Sequence, residues 1–291
     1  MLPIFDISNL RCSYDKQYKE GVSKVVLEIE NLRIPRGKKI FIVGESGIGK
    51  STILETLGMM NNTIVPDENT RFVFNDTDDN TEIDLASFWR GKSERKLSKF
   101  RLKNFSFIFQ STNLMRNFTS YENVAFTRML QNYSKFHCYQ RTHKVLEDLG
   151  LGHIDEKRMA IELSGGQQQR LAFARAILPD FTVLFGDEPT GNLDGENAVR
   201  VMEILSHKLD ELPGASAVIV SHDMHLAVSF ADVIIKIKKC IRPKTNETDE
   251  DVSYGVINEK CVYTPNEDRT LWSNGEESFT PSEFEEFLRK K

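Results

Sequence analysis

The 291-residue sequence predicts an α/β fold built on a largely parallel sheet. Three observations predict it. Short apolar runs alternate with helical patterns through most of the chain. Four of these runs, Ile40–Val43, Phe105–Phe109, Thr182–Phe185 and Ala217–Val220, each deliver polar residues at their carboxyl ends. In open α/β sheets that is the edge where ligands bind. A glycine-rich loop follows the first run and leads into a helix. Composition agrees: hydrophobic residues make up 40% and charged residues 28%, enough to bury a sizeable core. Lys plus Arg is 38 against 43 for Asp plus Glu, a net charge of −5, which argues against a nucleic-acid coat or a polybasic membrane binder. No apolar run approaches the roughly 20 residues of a membrane span. The start, Met1 to Asp6, lacks the basic-then-apolar pattern of a secretory signal. The four cysteines (Cys12, Cys138, Cys240, Cys261) lie far apart without a C-x-x-C pair, so reduced thiols are expected rather than a zinc site or a disulfide framework.

Taken in order, Ile40–Val43 is the first buried strand, and Ile53, Leu54, Leu57 and Met60 fall at helical spacing beyond the glycine loop. Residues 61–82 are polar and acidic, with Asp76, Asp78 and Asp79 clustered, and read as a loop or an exposed hairpin. The basic stretch 92–103 (Lys92, Arg95, Lys96, Lys99, Arg101, Lys103) predicts a helix with a solvated face. Phe105–Phe109 is a strand ending at Gln110. Residues 120–178 read mostly as helix in several pieces, a subdomain inserted between strands. Thr182–Phe185 and Ala217–Val220 are buried strands ending near Asp187 and at Ser221-His222. After about residue 240 the composition shifts. Residues 243–291 carry a net charge of −6, which leaves +1 on residues 1–242. Thr245–Asp251 reads as a linker. Order then returns. Asn274-Gly275 is a hairpin-turn pair between Leu271-Trp272 and Ser278-Phe279. Thr280, Pro281 and Glu283 form the cap, first turn and capping box of a final helix. Trp272, Phe279, Phe284 and Phe287 read as the small core of this strand-plus-helix appendage.

Gly44-Glu45-Ser46-Gly47-Ile48-Gly49-Lys50-Ser51 fits the phosphate-loop pattern G-x-x-x-x-G-K-[ST] without a mismatch, between an expected strand and an expected helix. Glycines let backbone N–H groups turn toward phosphate oxygens, and the helix N-terminus adds positive potential. Lys50 reaches the β- and γ-phosphates in such a loop, and Ser51 ligates Mg²⁺. Asp187 and Glu188 follow an apolar strand. An acid there can hold Mg²⁺, and the next carboxylate can polarise an attacking water. The bland alternatives are a helix cap and a turn acid at Asp187; the turn that Pro189 and Gly191 force is unlike a helix beginning there.

Leu163-Ser164-Gly165-Gly166-Gln167-Gln168-Gln169-Arg170 resembles the signature motif of ATP-binding-cassette (ABC) ATPases, and it lies in the family's order between the phosphate loop and the Asp-Glu strand. The resemblance extends over roughly residues 4–240. Gln110 matches the Q-loop glutamine, Asn192-Leu193-Asp194 the D-loop and His222 the switch histidine. Tyr14, with Tyr18 as competitor, is placed like the aromatic residue that stacks on adenine. The string Asp187 to Asp194, together with Phe109-Gln110 and Tyr121-Glu122-Asn123-Val124, is similar to the lipoprotein-releasing, macrolide-exporting and cell-division subgroup.

The resemblance implies a phosphate-loop NTPase fold with a mainly parallel core sheet. It adds an N-terminal antiparallel β-subdomain, a helical subdomain at about 90–178 within an ATPase domain 1–240, and a small α+β extension at 241–291. It implies ATP and Mg²⁺ held by Gly44 to Thr52, with Ser51, Gln110 and Asp187 around the metal, Glu188 at the attacking water and His222 at the γ-phosphate. It also implies a homodimer in which Ser164, Gly165, Gly166, Gln167 and Asp194 face the partner's ATP. The expected function is the ATP-hydrolysing subunit of a membrane complex, peripheral on the cytoplasmic face, beside a separate transmembrane permease and without nucleic acid. A soluble, non-transport clamp or regulator is the alternative. Tandem cassettes are common in that group, whereas this chain carries one. Glu188 and His222 argue against vestigial hydrolysis.

Overall fold

The computed structural model describes residues 2–15, 24–65, 67–76, 81–91, 93–191, 193–242 and 252–290. Tyr18, Asp78, Asp79, Lys92, Asn192 and the expected linker Thr245–Asp251 lie outside the described residues. The chain divides into two units, Met1–Leu97 with His222–Lys291, and Ser98–Ser221.

In chain order the first unit begins with β1 (Phe5–Ser13), β2 (Val25–Ile34), β3 (Lys39–Val43), α1 (Lys50–Leu57), β4 (Arg71–Asn75), β5 (Glu82–Asp84) and α2 (Leu85–Gly91). Helix α3 (Glu94–Asn104) runs across the unit boundary. The second unit continues with β6 (Phe105–Ile108), α4 (Ser120–Leu130), α5 (Lys135–Asp148), a 3₁₀ turn Ala160–Glu162, α6 (Gly165–Ile177), β7 (Val183–Asp187), α7 (Gly195–Glu211) and β8 (Ser216–Val220). The first unit resumes with α8 (Met224–Phe230), β9 (Val233–Lys236), β10 (Lys238–Arg242), β11 (Val252–Ile257), a 3₁₀ turn Glu259–Cys261, β12 (Val262–Pro265), β13 (Trp272–Ser273), β14 (Ser278–Phe279) and α9 (Pro281–Arg289).

One sheet of the first unit has the order β10-β11-β2-β1-β4-β5 and is antiparallel except where β11 runs parallel to β2. Its long strands change phase together. Phe5 and Ile7 point inward and then, after Asn9 in the left-handed region, Leu10 and Cys12 do; β2 makes the matching change between Ile29 and Leu32. The register pairs Ile7 with Leu32 and Leu10 with Ile29, so apolar side chains stay opposed across the kink. The stretch 61–82 differs from the loop or exposed hairpin its polarity suggests. It contains β4, paired on both sides, with Phe72 and Phe74 wholly buried and their rings 6.1 and 5.4 Å from Phe5. Apolar residues within an acidic stretch decide its burial. Asp76 is itself buried, with the Arg36 guanidinium as a charge partner. Helix α3 buries Leu97 and Phe100 and leaves Lys96 and Lys99 to solvent, a solvated basic face.

Each unit has a set of parallel strands that carries residues expected in the site. In the first unit β3 pairs with β9, and β12, β13 and β14 continue outward as antiparallel neighbours. In the second unit β6, β7 and β8 run parallel in that order. Phe105 and Phe107 pack on Phe185 between β6 and β7 at 5.1 and 5.3 Å. The last residues form a small aromatic core. Trp272 and Phe284 are buried with ring centroids 5.1 Å apart, and Tyr263, Phe279 and Phe287 surround them. Thr280 and Glu283 make the expected capping box on α9. All four cysteines are free thiols.

Candidate active site

In the first unit, the loop from β3 to α1 is shaped by its glycines. Gly44, Gly47 and Gly49 have φ of +156°, +77° and +102°, values that side chains resist. A Cβ on Gly49 would also meet the Val26 carbonyl at 3.3 Å. Gly49 is the N-cap of α1 and offers no side chain, so no side-chain cap occupies the first amides of α1. That leaves an N-terminus suited to an anion. Ile48 is buried and pins the loop to the core. The Lys50 side chain is almost buried, and its ammonium donates to the carbonyls of Gly44 at 2.9 Å and Glu45 at 2.7 Å. Two neutral acceptors thus hold a full positive charge across the mouth of the loop. Ser51 is exposed at the helix start, while Thr52 is buried and shares a 3.0 Å hydrogen bond with the Tyr14 hydroxyl. That bond fixes one end of a ring that is 60% exposed, as a stacking platform requires. His222 is exposed and lines, with Gly44, Glu45 and Ser46, a cavity of about 1130 Å³ that extends to Lys236 and Tyr263 of the C-terminal region.

In the second unit the parallel strands aim two groups at one edge. The register sets Ile108 of β6 beside Gly186 of β7, so Gln110 and the pair Asp187, Glu188 follow neighbouring strand ends. Glu188 has a left-handed backbone, φ +50°, which is uncommon for a residue with a side chain. Its amide donates to the Val220 carbonyl at 3.0 Å, and its carbonyl accepts from Gly191 at 3.1 Å. These bonds over-determine a conformation that costs on the order of 1–3 kcal/mol. Ser164 is the N-cap of α6. Its hydroxyl accepts from the Gln167 amide at 3.3 Å, and the Gln167 carboxamide accepts from the Ser164 amide at 3.0 Å. A Cβ on Gly165 or Gly166 would meet nothing within 4 Å, so packing inside the chain does not require glycine at either position. Asp194 caps α7 by accepting from the Asn197 amide at 2.9 Å, and that bond, with the Asn197 side chain, lowers its pKa. A second cavity of about 450 Å³ is lined by Thr112, Leu114, Arg116, Ile161 and Gln168. Arg175 holds its loop by donating to the carbonyls of Asn113 at 2.7 Å and Thr112 at 2.8 Å.

The first unit therefore gathers Tyr14, Gly44 to Thr52 and His222. The second carries Gln110, Asp187 and Glu188 at neighbouring strand ends, and Ser164 to Gln167 and Asp194 at the starts of α6 and α7. Two contacts at the phosphate loop have no motif to reveal them. Lys239 of β10 reaches Glu45 at 2.7 Å, and Gly255 of β11 lies so close to the Ile48 carbonyl that no side chain fits there. Both come from far along the chain, and Lys-Lys on an edge strand carries no sequence signal of its own.

A family model for the ABC transporter matches residues 27–191. The lipoprotein-releasing system ATP-binding protein LolD of Aquifex aeolicus is 37% identical over 213 residues, covering 72% of this chain and 88% of that protein. The macrolide export ATP-binding/permease protein MacB of Campylobacter fetus is 37% identical over 220 residues; the match spans 75% of this chain but only 31% of MacB. Among solved structures, a dimeric post-hydrolysis state of the ATP-binding cassette MJ0796 bound to ADP and Pi superposes with a TM-score of 0.67 at 27% identity, over 80% of this chain and 94% of that one. Among the described residues, no helix is long and apolar enough to cross a membrane. The chain belongs to the ABC transporter family, as one of its ATP-binding and ATP-hydrolysing subunits.

Proposed function

We propose that two copies of this subunit close head to tail on ATP, and that closing and reopening drive a separate permease in the membrane. Residues 1–240 form the ATPase domain, with its helical subdomain at about 90–178, and residues 241–291 an appendage to it. The observation that carries the reading is the second anion-ready helix start. Ser164 caps α6 at the Gln167 amide, and Gly165 and Gly166 put no side chain over the two amides before it although no internal contact demands glycine. A chain with one phosphate loop has no ligand of its own for that turn; the ATP of a second copy supplies one.

Each residue then has a role. Gly44 to Thr52 wrap the phosphates, Lys50 neutralises the β- and γ-oxygens, and Tyr14 stacks on adenine. Glu188 accepts a hydrogen bond from the attacking water and orients it in line with the γ-phosphorus. Gln110 holds that water from the neighbouring strand end. His222 donates to a γ-phosphate oxygen, and Asp194 and the partner's signature close the site. The donors Ser51, Gln110 and Asp187 are a hydroxyl, an amide oxygen and a carboxylate, the hard oxygen set that Mg²⁺ takes beside phosphate and water. When bound, Mg²⁺ offsets the negative charge that builds on the phosphate oxygens. Loss of the γ-phosphate removes what favours the closed dimer, so the two copies separate.

The permease docks in the second cavity. Ile161 is 57% exposed there, and the lining mixes apolar Leu114 with polar Thr112, Arg116 and Gln168, which suits a short amphipathic helix. Such docking holds the subunit on the cytoplasmic face of the membrane. The test is co-purification of Glu188→Gln with ATP and Mg²⁺ from detergent-solubilised membranes. A multi-span protein in stoichiometric amount, lost when Ile161→Arg is added, supports the reading. Recovery of soluble partners or nucleic acid alone overturns it.

A further inference from the structure

The helix that follows His222 does not hold itself in place. Helix α8 has seven residues, too few for stability from its own hydrogen bonds. Its N-cap is Asp223, whose carboxylate accepts from the Leu226 amide at 2.9 Å. His222 is the next residue back, so the placement of α8 sets the placement of the histidine backbone. The far end of α8 exposes carbonyls that lack helical partners. There a single guanidinium takes three of them. Arg269 Nη2 donates to the carbonyls of Val228 at 3.3 Å, Ser229 at 3.3 Å and Ala231 at 2.7 Å. A cation at the negative end of the helix dipole adds to these bonds.

The same guanidinium faces the strand that feeds the phosphate loop. Arg269 Nη1 lies 3.9 Å from one Asp232 oxygen, and the other Asp232 oxygen accepts from the Lys39 amide at 2.8 Å. Lys39 opens β3, which runs directly into Gly44, and Val233, just after Asp232, pairs in register with Ile40. Arg269 thus sits where α8 ends and where β3 and β9 begin. The turn that presents it is closed by its own bonds. Arg269 donates its amide to the Asn266 carbonyl at 3.0 Å, and Asn266 Oδ1 accepts from Thr270 at 2.9 Å and Leu271 at 3.0 Å. Arg269 itself is left-handed at φ +55°, and its guanidinium lies 5.8 Å from the Trp272 ring centroid. At the other end of α8, His225 Nδ1 meets Glu285 of α9 at 2.7 Å. Lys236, the last residue of β9, donates to the Phe287 carbonyl of α9 at 2.8 Å, and burial lowers its pKa.

We infer that Arg269 is a positioning residue for ATP hydrolysis: it fixes α8, and through α8 it sets His222 against the γ-phosphate. The inference rests on the role given to His222 above. It assigns the C-terminal appendage a part in the reaction, since the turn bearing Arg269 lies within it. A lysine there offers one nitrogen on a flexible stem, which can reach the carbonyls but cannot also face Asp232 as the second guanidinium nitrogen does. ADP lacks the γ-phosphate, so a residue acting through His222 leaves ADP affinity untouched.

The test measures kcat, KM for ATP and ADP affinity for the full chain, Arg269→Met, Arg269→Lys, His222→Ala and the His222→Ala double variants. Arg269→Met is expected to lower kcat roughly tenfold, since small displacements of a reacting group are costly, with ADP affinity unchanged. Arg269→Lys should fall between it and the unaltered chain. Neither substitution should lower kcat further once His222 is alanine. The same fold-loss in the His222→Ala background overturns the inference, as does an equal loss of ADP affinity or an unchanged kcat. Should Arg269→Met fail to fold, Arg269→Lys carries the same cycle. His222→Ala with full kcat would instead refute the role of His222, a distinct outcome.

Discussion

At the scale of single residues, the Lys50 ammonium is held by two carbonyls of its own loop. On the role proposed for Lys50, Lys50→Met removes a charge-assisted partner of the phosphates and should weaken ATP binding roughly ten- to hundredfold in a fluorescent-nucleotide titration. Glu188→Gln should instead keep ATP affinity and lower phosphate release by about a hundredfold or more. The two variants separate binding from chemistry. Lys50 and Glu188 were both legible in the sequence because their motifs are local: a loop of eight residues, and a strand followed by Asp-Glu. The left-handed backbone of Glu188 was not legible, since it depends on the Val220 carbonyl of a neighbouring strand. Nor was the pairing of Lys239 with Glu45, which joins positions 194 residues apart.

At the scale of elements, burial decided where sequence polarity misled. Strand β4 sits in an acidic stretch, yet Phe72 and Phe74 draw it between β1 and β5. Strand β11 shows the same limit from the other side. Its Gly255 reads as an unremarkable strand glycine, but a Cβ there would meet the Ile48 carbonyl and, at 2.8 Å, Ile237 Cγ2. Gly255→Val should therefore cost about 1–3 kcal/mol, seen as a lower midpoint in thermal melts, and should weaken ATP binding as the loop shifts. Unchanged ATP affinity would show that β11 and the phosphate loop are not coupled. The capping box of α9 was legible because it is written in four consecutive residues. Thr280→Ala should lower stability by about 1 kcal/mol in denaturant melts. The Thr280 hydroxyl and amide bonds lower the pKa of the Glu283 carboxyl. A folded pKa below the unfolded value means that the contribution is present above about pH 4.3 and fades as pH falls through the folded value. Melts of Glu283→Gln against the unaltered chain should accordingly converge in acid and differ at neutral pH.

At the scale of the whole molecule, the α/β class and the parallel strands β3, β6, β7 and β8 were legible from their apolar runs and polar carboxyl ends. The way the last 50 or so residues grip α8 and the phosphate loop was not, because those contacts are made by side chains outside any motif. The central proposal concerns two molecules rather than one: that each ATP is held by the phosphate loop and Glu188 of one copy and by Ser164 to Gln167 of the other. Mixing Glu188→Gln with Ser164→Arg tests it most directly. Each variant alone should release little phosphate, since every site in either homodimer carries a defect. In a mixed dimer both defects fall in one site, and the other site is whole. The measurement is the phosphate release rate of the equimolar mixture. A rate well above that of either variant alone is the predicted result. Rates that merely average, while the unaltered chain hydrolyses ATP, would contradict the shared site.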